Sequence, residues 1–107
     1  MQVQLFLLQL KTAWQQPDRI NLAQRDKNLR SMLELDISFE NLRDICLSLK
    51  PDDCAGGPFP HDRGFEGEVW IFKPVHRGTK VYLKFWHTTK NETDYVQIIS
   101  CHEEGIV

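Results

Sequence analysis

The segment EVWIFKPVHRGTKVYLKFWHTTKNETDYVQIISCH, residues 68–102, decides the fold of this 107-residue chain. It contains three runs rich in β-branched and aromatic residues, which favour strands, separated by short turn sequences at residues 76–79 and 90–93. Gly78 suits the left-handed conformation that a tight hairpin turn requires. We therefore predict a three-stranded antiparallel meander over this segment.

The middle run alternates strictly between two kinds of side chain, which assigns the two faces of its strand. The apolar set, predicted to face the core, is Val81, Leu83 and Phe85. The other set, which combines cations with aromatic rings, is Lys80, Tyr82, Lys84 and Trp86. On the last run, strict alternation groups His102 with Val96, Ile98 and Ser100. Whether His102 meets Tyr82 depends on the register between the two strands, which alternation does not give.

The first half of the chain predicts helices. Apolar residues recur at helical spacing over residues 2–16 and 24–35, and again after Ser38, whose hydroxyl suits a helix N-cap. Residues 19–22 are compatible with a short strand or an extended link. Residues 50–67 contain three prolines and four glycines, which predict a long loop without regular structure. Helices followed by consecutive strands indicate an α+β fold, with two to three N-terminal helices packed on one face of a small antiparallel sheet.

The length fits a single domain over residues 1–107, and the composition, with 41% hydrophobic and 26% charged residues, is near the globular average. The three cysteines form no closely spaced pair, which indicates reduced thiols in a cytoplasmic protein. The apolar run near the N terminus is too short to span a bilayer, so we predict no membrane association. The net charge is −2, whereas residues 68–88 carry four Lys or Arg and one Glu, so the sheet is locally basic.

The chain has no motif of a serine hydrolase and no glycine-rich phosphate-binding loop. Cys54, His61 and Asp62 lack the paired spacing of a structural zinc site. The sequence therefore predicts neither a bound metal nor a cofactor.

Cleavage of RNA by its own 2′-hydroxyl needs only a base, an acid at the leaving 5′-oxygen and a cation for the charge that builds on phosphorus. Residues of these types on the predicted sheet are Lys80, Tyr82, Lys84 and His102. Trp86 adds an aromatic surface on which an unpaired base can stack. The same side chains would also occur on an ordinary amphipathic sheet surface, and this alternative stays open.

Several segments together resemble the MqsR (motility quorum-sensing regulator) family of toxins, messenger-RNA interferases of bacterial type II toxin–antitoxin systems. The resemblance covers residues 19–104, and its most specific parts are Val81-Tyr82-Leu83-Lys84 and Ile99-Ser100-Cys101-His102. The supporting segments are Arg25-x-x-Asn28-Leu29, Leu33-x-Leu35, Leu47-x-Leu49-x-x-Asp52-Asp53, Gly57-Pro58 with Asp62, and Val69-Trp70-Ile71-Phe72.

This resemblance implies a RelE-like fold and a metal-independent endoribonuclease that cleaves mRNA, with or without the ribosome. It implies an antitoxin partner with a helix-turn-helix DNA-binding domain. The residues expected to be catalytic are Tyr82, His102 and Lys84. The residues expected to contact the RNA substrate are Lys80, Trp86, Arg77, His61 and Arg63.

The chain departs from the family pattern in two places. Family members carry a lysine in the loop before the sheet, where this chain has Cys54-Ala55-Gly56-Gly57, and the last strand ends in His102 rather than in lysine. The candidates to replace the missing cation are His61, Arg63 and Lys80. Histidine is well suited to proton transfer near neutral pH. The alternative function is a non-catalytic RelE-like module that binds a protein or RNA.

Overall fold

Three α-helices and a six-stranded sheet make up the described part of the molecule. The computed structural model describes residues 2–105. The helices are α1 (Gln2–Trp14), α2 (Asp26–Glu34) and α3 (Phe39–Leu47), and a 3-10 helix covers Pro51–Asp53. The strands are β1 (Ile20–Leu22), β2 (Cys54–Phe59), β3 (Glu68–Phe72), β4 (Val75–His76), β5 (Thr79–Lys90) and β6 (Thr93–Glu103). The predicted α+β class is confirmed.

The strands form one mixed sheet in the order β1-β6-β5-β3-β2, and the short β4 pairs with β5 outside this path. Because β5 pairs antiparallel with both β3 and β6, the predicted meander is confirmed. Residues 20–22 form a strand rather than an extended link. The sheet is mixed rather than purely antiparallel, because the short N-terminal strand β1 runs parallel to β6. A parallel pair requires a long connection, and here two helices and four strands lie between its members in the chain.

Two tight turns set the register of the hairpins. Arg77 and Gly78, with φ of 51° and 81°, connect β4 to β5, and Asn91 and Glu92, with φ of 50° and 63°, connect β5 to β6. Positive φ at both central residues gives a turn whose twist matches that of the paired strands. The predicted left-handed conformation of Gly78 is confirmed.

Helix α3 begins at its predicted cap. The Oγ of Ser38 accepts a hydrogen bond from the backbone N–H of Asn41 at 3.0 Å, and the Oδ1 of Asn41 accepts one from the backbone N–H of Ser38 at 3.1 Å. This reciprocal arrangement satisfies two backbone donors near the start of the helix. None of the helices within residues 2–105 is long and apolar enough to cross a membrane.

Residues 50–67 contain a strand, so the prediction that they lack regular structure is wrong. β2 pairs antiparallel with β3, and its register shifts on either side of Gly56. Because β2 lies at the edge of the sheet, one side of its backbone needs no strand partner, and this position tolerates Pro58. Residues 60–67 remain a loop, and this loop bears on the candidate site.

The helices and one face of the sheet enclose the apolar core. The ring of Phe6 on α1 lies near the middle of it, with its centroid 5.3 Å from that of Trp70 and 5.6 Å from that of Phe85. Val81, Leu83 and Phe85 are completely buried, as the alternation in β5 predicts. The opposite face of the sheet, called the open face below, carries the polar side chains of β5.

Candidate functional site

A one-residue bulge in β6 decides which side chains reach the open face. The strand pairs around it are His102 with Tyr82, Ser100 with Lys84, and Ile98 with Phe85. Ile99 is therefore skipped, and the alternation of faces shifts by one residue at this point. His102 lies on the open face, whereas Val96 and Ile98 are buried in the core. The prediction that His102 shares a face of the strand with Val96 and Ile98 is therefore wrong.

Helix α2 holds the bulge through the buried side chain of Asn28. Its Nδ2 donates to the backbone carbonyls of Ile99 at 2.8 Å and Ala23 at 3.2 Å, and its Oδ1 accepts from the backbone N–H of Cys101 at 3.1 Å. The pairing of β1 with β6 ends at Ile98. The Asn28 amide thus takes the place of the next residue of β1 and satisfies the backbone of β6 beyond that point.

Arg25 precedes α2 and extends along the same part of β6. Its Nη1 lies 3.2 Å from the carbonyl oxygen of Ile99 and 3.4 Å from the Oγ of Ser100. Because Ser100 pairs with Lys84, the arginine and the lysine lie on either side of this serine. Arg25 is exposed, and a guanidinium group has five N–H donors, so it has donors to offer to an anion.

Tyr82 and His102 form a stacked pair on the open face. Their ring centroids are 4.9 Å apart and their planes differ by 13°. His102 is 7% exposed, and its Nδ1 lies 2.9 Å from the backbone oxygen of Glu103. Because a carbonyl oxygen only accepts, this hydrogen bond places the proton of the neutral imidazole on Nδ1 and leaves a lone pair on Nε2. The register brings these two predicted catalytic residues together.

A cleft of about 460 Å³ lies between the open face and the loop of residues 60–67. Tyr82 and His102 do not line it, but Lys84, two residues from Tyr82 on the same face of β5, does. Three cations, Arg25, Arg63 and Lys84, line it together with one carboxylate, Asp62. The Nζ of Lys84 is 3.7 Å from the Oδ2 of Asp62, whose side chain is 86% exposed. An ion pair this exposed contributes little to stability, so another anion can displace the carboxylate.

Aromatic rings form one wall of the cleft. The ring of Trp86 has its centroid 4.9 Å from that of His61 and 5.7 Å from that of Phe65. The Nε1 of Trp86 donates to the backbone carbonyl of Glu66 at 2.9 Å. Gly67 has a φ of 112°, and a Cβ at this position would collide with the backbone of β5. A glycine is therefore required where the loop closes over the sheet.

The structure brings together some of the predicted substrate-binding residues and separates others. Those that line the cleft with Lys84 are His61, Arg63 and Trp86. Lys80 is exposed on β5, two residues before Tyr82. Arg77 does not line the cleft, and its Nη1 lies 3.2 Å from the Oδ2 of Asp36, between α2 and α3.

Sequence reasoning missed Arg25, Phe65 and Gln97 as lining residues of this cleft. Arg25 is 75 positions from Ser100 in the chain, and the packing of α2 against β6 creates their contact. The spacing Arg25-x-x-Asn28 is the one signal in the sequence, since it places both side chains at the start of α2. Phe65 and Gln97 give no signal, because isolated aromatic and amide residues are common on surfaces.

Potential metal ligands and the buried thiols of Cys46 and Cys101 are the further candidates for a reactive site in the described part of the chain. Within residues 2–105, no three His, Cys, Asp or Glu side chains come close enough to bind a metal ion together. Burial raises the pKa of the Cys46 thiol far above its usual range and that of Cys101 to about 11, so both are poor nucleophiles.

No family model, no curated protein and no solved structure matches this chain.

Proposed function

We propose that this protein is a metal-independent endoribonuclease that cleaves messenger RNA and acts as the toxin of a bacterial type II toxin–antitoxin system. The observation that carries the proposal is the stacked pair of Tyr82 and His102 on the open face, beside Lys84 and a cationic cleft. The helices on one face and the polar residues on the other fit the RelE-like arrangement that the sequence resemblance implies.

In the proposed reaction, the Nε2 of His102 takes the proton of the 2′-hydroxyl. The hydrogen bond from Nδ1 to the carbonyl of Glu103 orients the imidazole for this role. The 2′-oxygen forms a bond to phosphorus, and the bond from phosphorus to the 5′-oxygen breaks. The products are a 2′,3′-cyclic phosphate and a free 5′-hydroxyl.

Lys84 and Tyr82 complete the proposed reaction. The ammonium group of Lys84 offsets the negative charge that develops on the phosphoryl oxygens. The phenol of Tyr82, half-buried next to His102, donates its proton to the leaving 5′-oxygen, and the proton held on His102 then restores the phenol. A metal is not needed for any of these steps, since the nucleophile belongs to the RNA.

The proposed partners are mRNA and a cognate antitoxin with a helix-turn-helix DNA-binding domain. Cleavage of free mRNA and cleavage on the ribosome are both compatible with a site on an open sheet face. The proposed compartment is the cytoplasm, where mRNA is present and where the three free cysteines stay reduced.

Tyr82→Phe and His102→Ala test the proposal, with Tyr95→Phe as the matched control. Tyr95 is also half-buried and pairs with Thr88 toward the other end of the same hairpin. We expect both site variants to lose growth arrest on induction and transcript cleavage in vitro, and the control to retain them. A 2′-deoxy substitution at the scissile nucleotide should block cleavage, and EDTA should not. A wild-type protein that neither arrests growth nor shortens RNA would contradict the enzymatic function.

A non-catalytic binding module is the second candidate, and one observation favours it. His102 is only 7% exposed, which limits the access of a substrate to its imidazole. This function predicts that the wild type binds a labelled RNA without shortening it. It also predicts that Tyr82→Phe binds that RNA as tightly as the wild type.

A further inference from the structure

We infer that the cleft beside Tyr82 and His102 is a binding subsite for a single nucleotide of an unpaired RNA strand. Arg25 and Lys84 hold its phosphate, and the wall formed by Phe65 and Trp86 takes its base. The inference rests on the proposed RNA substrate, but binding of mononucleotides tests it separately from cleavage.

The phosphate end of the subsite is formed by Arg25 and Lys84, which line the cleft on either side of the buried Ser100. The Nη1 of Arg25 contacts the Oγ of Ser100 at 3.4 Å, and Lys84 lies opposite Ser100 in the strand register. A guanidinium and an ammonium group on either side of one hydroxyl form a compact set of donors that matches the oxygens of a phosphate. The next pair of the hairpin on the same face is Tyr82 with His102, so this phosphate lies beside the reacting one.

The base end of the subsite is aromatic and exposed. Phe65 is 51% exposed although it is a large apolar residue, and its ring is inclined by 32° to that of Trp86. Such rings stabilise an unpaired base by stacking, whatever its identity. Gln97 pairs with Trp86 in the strand register and lines the same cleft. Its amide has donors and an acceptor that can bind the edge of a base.

The size of the cleft limits the ligand. Its volume of about 460 Å³ lies in the lower half of the range for small-molecule sites, roughly 300–1,000 Å³. This is enough for one nucleotide and too little for a base pair. The loop of residues 60–67 closes the side of the cleft against β5, so the strand must present a base that is already unpaired.

A substitution of Asp62 tests the subsite through an expected gain, rather than a loss, of nucleotide affinity. Its carboxylate lies 3.7 Å from Lys84, where it competes with an incoming phosphate. Removing this charge frees Lys84 and makes the electrostatic potential of the cleft more positive. Asp62→Asn should therefore bind nucleotides more tightly than the wild type.

The three tryptophan indoles allow binding to be measured by NMR. The ¹⁵N-labelled protein is titrated with each of the four nucleoside 3′-monophosphates, with the nucleosides, and with inorganic phosphate. Trp86→Phe identifies the Trp86 indole resonance. We expect a nucleotide to shift this resonance saturably and to leave the resonances of Trp14 and Trp70, which are buried in the core, in place.

Variants separate the two ends of the subsite. Arg25→Gln should weaken nucleotide binding about tenfold and leave nucleoside binding unchanged, because it removes a charge-assisted contact to phosphate. Phe65→Ala should weaken both about tenfold. Asp62→Asn should tighten nucleotide binding about threefold. Arg30→Gln, elsewhere on α2, and Phe39→Ala, at 49% exposure on α3, are matched controls that should bind as the wild type does.

Arg25 also contacts the bulge, so a second variant guards against misfolding. If Arg25→Gln loses its dispersed spectrum, Lys84→Gln gives the same measurement without touching the carbonyl of Ile99. The inference is overturned if no nucleotide shifts the Trp86 resonance. It is also overturned if the folded Arg25 or Lys84 variant, or Phe65→Ala, binds as the wild type does. RNA cleavage without nucleotide binding overturns the subsite alone, whereas nucleotide binding without cleavage overturns the enzyme alone.

Discussion

The β5–β6 hairpin carries a buried histidine near each end, and the two differ in what they contact. His87, near the connecting turn, is 9% exposed, and its Nε2 lies 2.8 Å from the Oδ1 of Asp94. The same carboxylate oxygen accepts from the Oγ1 of Thr89 at 3.0 Å. His102, at the other end, is 7% exposed, and its contacts are a stacked phenol ring and a backbone carbonyl.

Burial does not separate the histidine with a hydrogen-bonded carboxylate partner from the one proposed to be reactive, because both are less than 10% exposed. His87 lies on the core face, where Phe6 meets the edge of its ring at 6.1 Å and Asp94 engages its Nε2. His102 lies on the open face, with its Nδ1 occupied by the Glu103 carbonyl. The partners of the ring nitrogens, rather than the exposed fraction, therefore distinguish the two histidines.

The largest expected effect is the loss of cleavage in His102→Ala and not in His87→Ala. General acid–base groups contribute about 100- to 10,000-fold to a rate, so we expect His102→Ala to cleave RNA about 1,000-fold more slowly. His87→Ala should cost about 2 kcal/mol of stability, because it removes the half-buried hydrogen bond between the imidazole and the Asp94 carboxylate. Single-turnover cleavage and urea unfolding measure the two quantities. Equal cleavage rates for His102→Ala and His87→Ala would contradict a catalytic role that belongs to His102 alone.

The bulge at Ile99 places His102, so Asn28→Ala should affect both stability and the site. It removes three hydrogen bonds, leaves the Cys101 amide unsatisfied and leaves the Ile99 carbonyl with Arg25 as its remaining donor, at a cost of about 3 kcal/mol. Asn21→Ala, an exposed asparagine in the neighbouring strand β1, is the control and should change stability by less than about 0.5 kcal/mol. Urea unfolding checks this, and similar midpoints for both variants would show that Asn28 does not hold the bulge.

Cys101, next to His102 on the core side, makes stability depend on pH. Burial raises its pKa from 9.0 to about 11, so the folded state keeps the thiol proton that the unfolded state loses. Its contribution is fully present below pH 9 and is lost as the pH rises toward 11, at about 1.4 kcal/mol per pH unit. Unfolding from pH 8 to 11 should show this decline, and Cys101→Val should flatten it. If the unfolding free energy of Cys101→Val falls with pH as steeply as that of the wild type, other groups such as Cys46 cause the decline.

The smallest expected effect concerns Thr89 at the His87 end. Its hydroxyl donates to Asp94, but the residue is exposed, so Thr89→Val should cost less than about 1 kcal/mol. Cleavage should not change, since the hydroxyl lies at the structural end of the hairpin. A thermal melt and a cleavage assay of the same sample check both statements, and slower cleavage would show that the two ends are coupled.

Local patterns predicted a large part of the fold. The alternation of β5 identified Val81, Leu83 and Phe85 as core residues, because the period of two follows from the geometry of an extended chain. The cap at Ser38 and the left-handed Gly78 were also predictable, since hydroxyl capping and positive φ are properties of single residues. Composition failed for β2, because an edge strand tolerates glycine and proline that an interior strand excludes.

The sequence by itself therefore determined the meander, its two faces on β5 and the residue types of the candidate site. Tertiary structure alone decided that His102 lies opposite Tyr82. The reason is physical: the face of a strand residue follows from counting only while the ladder is regular, and a bulge shifts the count by one. That bulge is held by Asn28 and Arg25, 71 and 74 positions away from Ile99 in the chain. The local sequence pattern of β6 does not indicate hydrogen bonds from residues that are so distant in the chain.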